Sequence, residues 1–139
     1  MLNRRPLLCI VVVFLSGCDI LNPNFYQPPP PDFKYYAKVG ASDDDKIRAM
    51  LECGRQSAFG TNYSNGETQE SVALAFRCML QDGFRYTGLY LICEAERNKK
   101  LPACQPNAIV PKRDSQLRLT SQFCKTQLSY YPNYKVCLP

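Results

Sequence analysis

The chain has no histidine among its 139 residues. Histidine is the usual general base near neutral pH and the commonest metal ligand, so Ser–His and Cys–His nucleophile pairs and most zinc sites are missing a part. Short paired cysteine spacings are absent too. Among Cys53, Cys78, Cys93, Cys104, Cys124 and Cys137 the closest pair is Cys93 and Cys104, eleven apart. There is no glycine-rich phosphate loop. Neither a metal nor a cofactor is expected. Long apolar runs are also lacking, the longest being the nine residues Leu7 to Leu15. At about 1.5 Å per helical residue this run reaches roughly 14 Å, half of the ~30 Å hydrocarbon core that a spanning helix must cross.

What the N-terminus does have is an order of zones. Arg4 and Arg5 precede the apolar run, and Ser16-Gly17-Cys18 follows it, which is the layout of an export signal. Leu15-Ser16-Gly17-Cys18 resembles the lipobox of bacterial lipoproteins. That resemblance covers the first eighteen residues and implies that residues 1–17 are removed, with a diacylglycerol attached through a thioether to Cys18. Small side chains at 16 and 17 suit a narrow protease site, and the thiol at 18 carries the lipid. An ordinary thiol or disulfide partner at Cys18 after ordinary secretion is the competing reading. Asp19 would be the second mature residue. In lipoproteins of the enterobacterial type an Asp there tends to retain the protein in the inner membrane, a rule that fails in other Gram-negative groups. The expected location is the cell envelope, lipid-anchored on the periplasmic side of the inner membrane or in the outer membrane.

The chain has eight cysteines. Removing Cys9 with the signal and committing Cys18 to lipid leaves an even set of six, the pattern of a disulfide framework in an oxidising compartment. Three bridges are expected, and spacing alone does not choose among the fifteen pairings.

Residues 18–41 hold Pro23, the run Pro28 to Pro31 and no apolar periodicity, so a lipidated, Pro-rich and partly polyproline II tether is expected there. Its aromatics, Phe25, Tyr26, Phe33, Tyr35 and Tyr36, either pack back onto the domain or form a docking peptide. Residues 42–139 are expected to be a Cys-rich, mainly α domain of three to four short helices with irregular Pro-rich connections.

Ser42 with Asp45 has capping-box spacing, the acids at 43–45 suit the positive end of a helix, and Ile47, Met50 and Leu51 follow at helical spacing. The cap explains those acids without a calcium ion. A second helix is expected over 68–82, with Val72, Ala75, Phe76, Met79 and Leu80 on its core stripe and Gly83 as its left-handed cap. The two segments echo one another at an offset of 25, Cys53 matching Cys78 and Phe59 matching Phe84. Gly88 to Arg97 fits a short helix or a buried strand. Asp114 to Leu128 reads as one helix with Leu117, Ser121, Cys124 and Leu128 on a face, and 130–139 as an extended tail pinned at Cys137.

Charge is unevenly placed. Residues 18–96 carry seven Lys/Arg against eleven Asp/Glu, while 97–139 carry eight against one. Arg113, Arg118 and Lys125 in that basic block, with Tyr130 and Tyr131, are candidate binding residues, as is Tyr63 at the tip of the Gly60 to Gly66 loop. The block is a solvated face balancing the acidic helices, an attractor for anionic envelope surfaces, or a nucleic-acid face. The compartment argues against nucleic acid. Paired carboxylates offer little for catalysis, since Glu94 and Glu96 would diverge on a helix and Glu67 and Glu70 belong to a helix start. No catalytic residues are expected. The expected role is a non-catalytic protein-interaction, accessory or adhesin-like module held at the membrane by its lipid. The alternative is an inhibitor or immunity lipoprotein that blocks a secreted enzyme or toxin.

Overall fold

In a computed structural model, residues 28–60 and 66–139 are described, and they form a small, mainly α domain stapled by three disulfides. Helix α1, Asp43–Glu52, starts where the sequence says it should. Ser42 Oγ accepts from the Asp45 N–H at 3.2 Å, and the Asp45 carboxylate accepts from the Ser42 N–H at 2.9 Å. This reciprocal cap satisfies amide groups that the first turn leaves without helical partners. Helix α2, Gln69–Gln81, is capped in the same way by Thr68 and Ser71. It ends at Gly83, whose φ of 86° is one that side-chain-bearing residues avoid.

The two helices pack through Ile47, Ala49, Met50 and Leu51 of α1 and Ala75, Phe76, Cys78 and Met79 of α2. The buried stripe of α2 is rotated from the expected one. Leu80 is 41% exposed and Val72 only half-buried, while Ala73 takes a core place. Cys53 and Cys78, the matched cysteines of the offset-25 echo, are bonded to each other. The echo fails at its end, because Phe84 is buried and Phe59 largely exposed.

The folded body begins before Ser42. A 3-10 turn at Asp32–Tyr35 leads into β1, Tyr36–Ala37, which pairs antiparallel with β2, Arg85–Tyr86, Tyr36 lying opposite Tyr86. Phe33 and Tyr36 are core side chains, so 32–41 belongs to the domain and not to the tether. Apolar anchors two to three residues apart suffice for a turn and a bridge, and they carry no helical or strand periodicity for a sequence reading to find. Ahead of the turn, Pro31 sits at φ −56° and ψ 149°, in the polyproline II basin.

Three further expectations need correction. Gly88 to Arg97 is neither helix nor strand: Leu89 is 92% exposed, and the segment turns into a 3-10 stretch at Glu96–Asn98. The expected helix over 114–128 is two helices, α3 at Ser115–Thr120 and α4 at Gln122–Tyr130, broken at Ser121. There the backbone extends to ψ 151°, and the Ser121 hydroxyl donates to the Arg118 carbonyl at 2.7 Å while accepting from the Cys124 N–H at 3.1 Å. Local serine bonding of this kind competes with the helical ladder. The tail is not extended throughout but closes in a 3-10 turn, Lys135–Cys137, bonded back to Cys124.

All six cysteines pair with their neighbours in sequence: Cys53–Cys78, Cys93–Cys104 and Cys124–Cys137. Among the described residues no helix is long and apolar enough to cross a membrane.

Candidate functional site

The basic block resolves into latches and free charges. Arg113 donates from Nε to Glu52 at 2.8 Å and from Nη1 to Asp82 at 2.8 Å. Arg118 is 5% exposed. It donates from Nε to Glu52 at 2.9 Å and from Nη1 to the carbonyls of Val136 and of Leu138, the latter at 2.6 Å. Glu52 at the end of α1 thus holds both arginines, and Arg118 fastens the C-terminal tail. Partial burial pushes the Asp82 carboxyl up, but hydrogen bonds from Arg113 and Lys38 outweigh it and hold it below the usual carboxylate range. Two of the candidate binding residues, Arg113 and Arg118, therefore serve the fold. Lys125 is exposed. Tyr63, Cys18 and Asp19 lie outside the described residues.

Tyr130 and Tyr131, 75% and 64% exposed, stand at the end of α4 and line a shallow apolar groove with Pro132 and Tyr134. The Cys124–Cys137 bond closes this segment from both sides. A ladder of rings backs it, Tyr134 on Phe123 at 6.0 Å, Phe123 stacked on Phe59 at 5.4 Å, and Phe59 edge-on to Phe33 at 5.3 Å. Of the groove residues, Tyr134 is the one that joins this ladder.

A second feature is a cleft of about 200 Å³ that no single stretch of sequence announces. Its aromatic walls come from Tyr35 and Tyr36, from Phe76 of α2, and from Tyr86 and Tyr90. Tyr86 sits at the centre, with its ring 5.3 Å from Tyr36, 5.4 Å from Phe76 and 6.0 Å from Tyr35. Gly88 lies against that ring: a Cβ there would come within 2.4 Å of the Tyr86 hydroxyl oxygen, so a larger residue would require the Tyr86 ring to move.

Charge enters the cleft through Arg55 and Asp32. Arg55, 5% exposed, donates from Nε to Glu67 at 2.8 Å and from Nη2 to Asp32 at 2.9 Å. Glu67 also accepts the Gln56 N–H at 2.9 Å, so its carboxylate belongs to this buried pair more than to the helix start. Burial raises the Tyr36 phenol well above its ordinary value, with the nearby Arg55 charge only a partial offset. Burial also raises Tyr86, assisted by the Asp32 charge. Both hydroxyls are therefore protonated donors across the physiological range.

Sequence reasoning missed this cleft, although the idea that the tether aromatics pack back pointed at one wall of it. Arg55, Asp32 and Tyr86 carry no motif. Glu94 and Glu96 are exposed, and Glu96 pairs with Lys99 at 2.5 Å. Among the described residues no group of three or more Cys, Asp or Glu side chains could hold a metal ion. No protein-family model, curated protein sequence or solved structure matches the chain.

Proposed function

We propose that the protein is a lipid-anchored component of the cell envelope that works by binding another protein, without catalysis, through the tyrosine face at the end of α4. The address rests on the lipobox-like Leu15-Ser16-Gly17-Cys18 and on the six remaining cysteines, which all pair. One observation carries the role. Tyr130 and Tyr131 stand largely in solvent on a segment that a disulfide and a ring ladder already hold. Tyrosines on a held segment supply large contact area with few side-chain torsions to fix on binding, and they are enriched where proteins bind. Exposed Lys125 on the same helix adds a charge at the rim.

The test is chemical crosslinking in intact envelopes followed by recovery of the lipidated protein, compared with the Tyr130→Ser, Tyr131→Ser variant. A stable envelope protein recovered with the wild type and lost with the variant supports the reading. Recovery only of a secreted hydrolase or toxin would favour the blocking role instead, and glycan without any protein partner would overturn both. Intact mass decides the address separately: a diacylated chain starting at Cys18 supports it, and an unacylated chain starting at Met1 ends it.

A further inference from the structure

The cleft around Tyr86 holds polar groups that the fold leaves unused. Tyr36 is 6% exposed, yet its hydroxyl makes no hydrogen bond among the described residues, and neither do the hydroxyls of Tyr35 and Tyr86. Arg55 spends Nε and Nη2 on Glu67 and Asp32, which leaves Nη1 without a partner among the described residues. Asp32 uses Oδ2 for Arg55, leaving Oδ1 free in the same sense on a side chain 31% exposed. Among the described residues the buried side-chain polar atoms without a partner are Arg48 Nε, Glu70 Oε2 and Asn98 Oδ1, so the cleft hydroxyls are not sealed off and can bond to whatever fills the cleft.

We propose that this cleft binds a single neutral sugar ring, stacked on the tyrosine faces and hydrogen-bonded by Tyr36, Arg55 and Asp32. The chemistry selects the class. The guanidinium N–H groups left over are donors, one carboxylate oxygen is an acceptor, and the phenols serve as either, which matches a ring of several hydroxyls that must both give and take hydrogen bonds. The flat aromatic walls match the C–H face of such a ring. Charge disfavours the other classes: Asp32 and Glu67 together outnumber Arg55, so a carboxylate or phosphate meets net negative charge, while a cation meets the guanidinium itself. Size sets the number of rings. At about 200 Å³ the cleft is smaller than the roughly 300–1,000 Å³ of drug-sized sites. It shares no lining residue with the Tyr130 groove, so it stands or falls independently of the protein-binding face.

Ligand-observed saturation-transfer NMR on the oxidised mature chain tests this, with methyl β-D-glucopyranoside and N-acetyl-D-glucosamine as probes and cyclohexanol as the apolar ring control. Transfer to at least one sugar, with affinity in the millimolar range, is expected. Tyr90, 85% exposed at the rim, contributes little to the core, so Tyr90→Ala should fold normally. Tyr36→Phe keeps the ring and its packing and should unfold near the wild-type temperature. Each variant should reduce transfer by about threefold or more, the loss expected for one good contact. Absence of transfer to both sugars, transfer unchanged in both variants, or cyclohexanol binding as well as either sugar would overturn the proposal.

Discussion

Residues 32–86 supply the α1–α2 pair and fourteen of the eighteen buried hydrophobic side chains among the described residues, while 87–139 supply four, two of them disulfide halves. The first region has two capped helices that bury continuous apolar stripes against each other. The second has short helices and 3-10 turns, and it is joined to the first by the arginines on Glu52. The contrast shows how a small domain can be completed. In the first region many apolar side chains pack and one disulfide, Cys53–Cys78, ties the two helices together. In the second few apolar side chains are buried, and two disulfides with the arginines on Glu52 hold the shorter elements, as expected when a short chain cannot bury enough surface.

Five measurements would break or sharpen that contrast. The largest effect should come from the disulfides. Replacing Cys53 and Cys78 together by Ala opens the loop with a sequence separation of 25, against 13 for Cys124–Cys137. Chain entropy predicts losses of roughly 3.5 and 2.9 kcal/mol by denaturant unfolding. Hydrogen exchange should separate the two regions. Loss of Cys124–Cys137 should deprotect 121–139 and spare α1 and α2, whereas uniform deprotection would show that the halves fold as one unit.

Next come the latches. Arg118→Met leaves the Val136 and Leu138 carbonyls without this buried donor and should cost about 3 kcal/mol. Arg113→Met, at a side chain 32% exposed, should cost no more than about 1 kcal/mol. Equal costs would mean that burial does not decide the strength of the Glu52 pairs. Loss of a cap, Ser42→Ala or Thr68→Ala, should lower stability by about 1 kcal/mol each, read from the same unfolding curves. A cost near zero at either site would make packing alone responsible for that helix.

The smallest effect is that of pH near neutrality. Asp82 is held below its ordinary value, so its contribution is fully present above the unfolded carboxylate value of about 3.9 and is lost as pH falls through the lower folded one. With no histidine in the chain, unfolding midpoints should be flat from about pH 6 to pH 8. A steep change across that interval would point to a titrating group that the described ion pairs do not contain.

Legibility in the sequence followed the same divide. Ser42, Asp45 and Gly83 act within a few residues of their own positions, so they could be read directly. Ser121 could not. Its bonds to Arg118 and Cys124 are as local as theirs, but it falls at helical spacing between Leu117 and Cys124, so its position reads equally well as the inside of a helix. Arg118 itself read as part of a basic face because charged side chains are usually solvated, and only the closeness of Glu52 and the tail carbonyls makes its burial favourable. The candidate sites divide in the same way. Tyr130 and Tyr131 were visible as aromatics amid basic residues. The cleft draws on residues 32–36, 55, 72–76 and 86–92, which no window of sequence contains together.

Local chemistry therefore determined by itself where α1 and α2 begin, where α2 stops, and that an even set of six thiols stood ready to pair, because caps, glycine ends and cysteine counts depend on near neighbours or on simple number. Tertiary structure alone decided which thiols joined, which arginines were buried, and that three phenols would meet Arg55 and Asp32 in one cleft. Those outcomes depend on groups far apart in the chain arriving within bonding distance, and chain order carries no record of that distance.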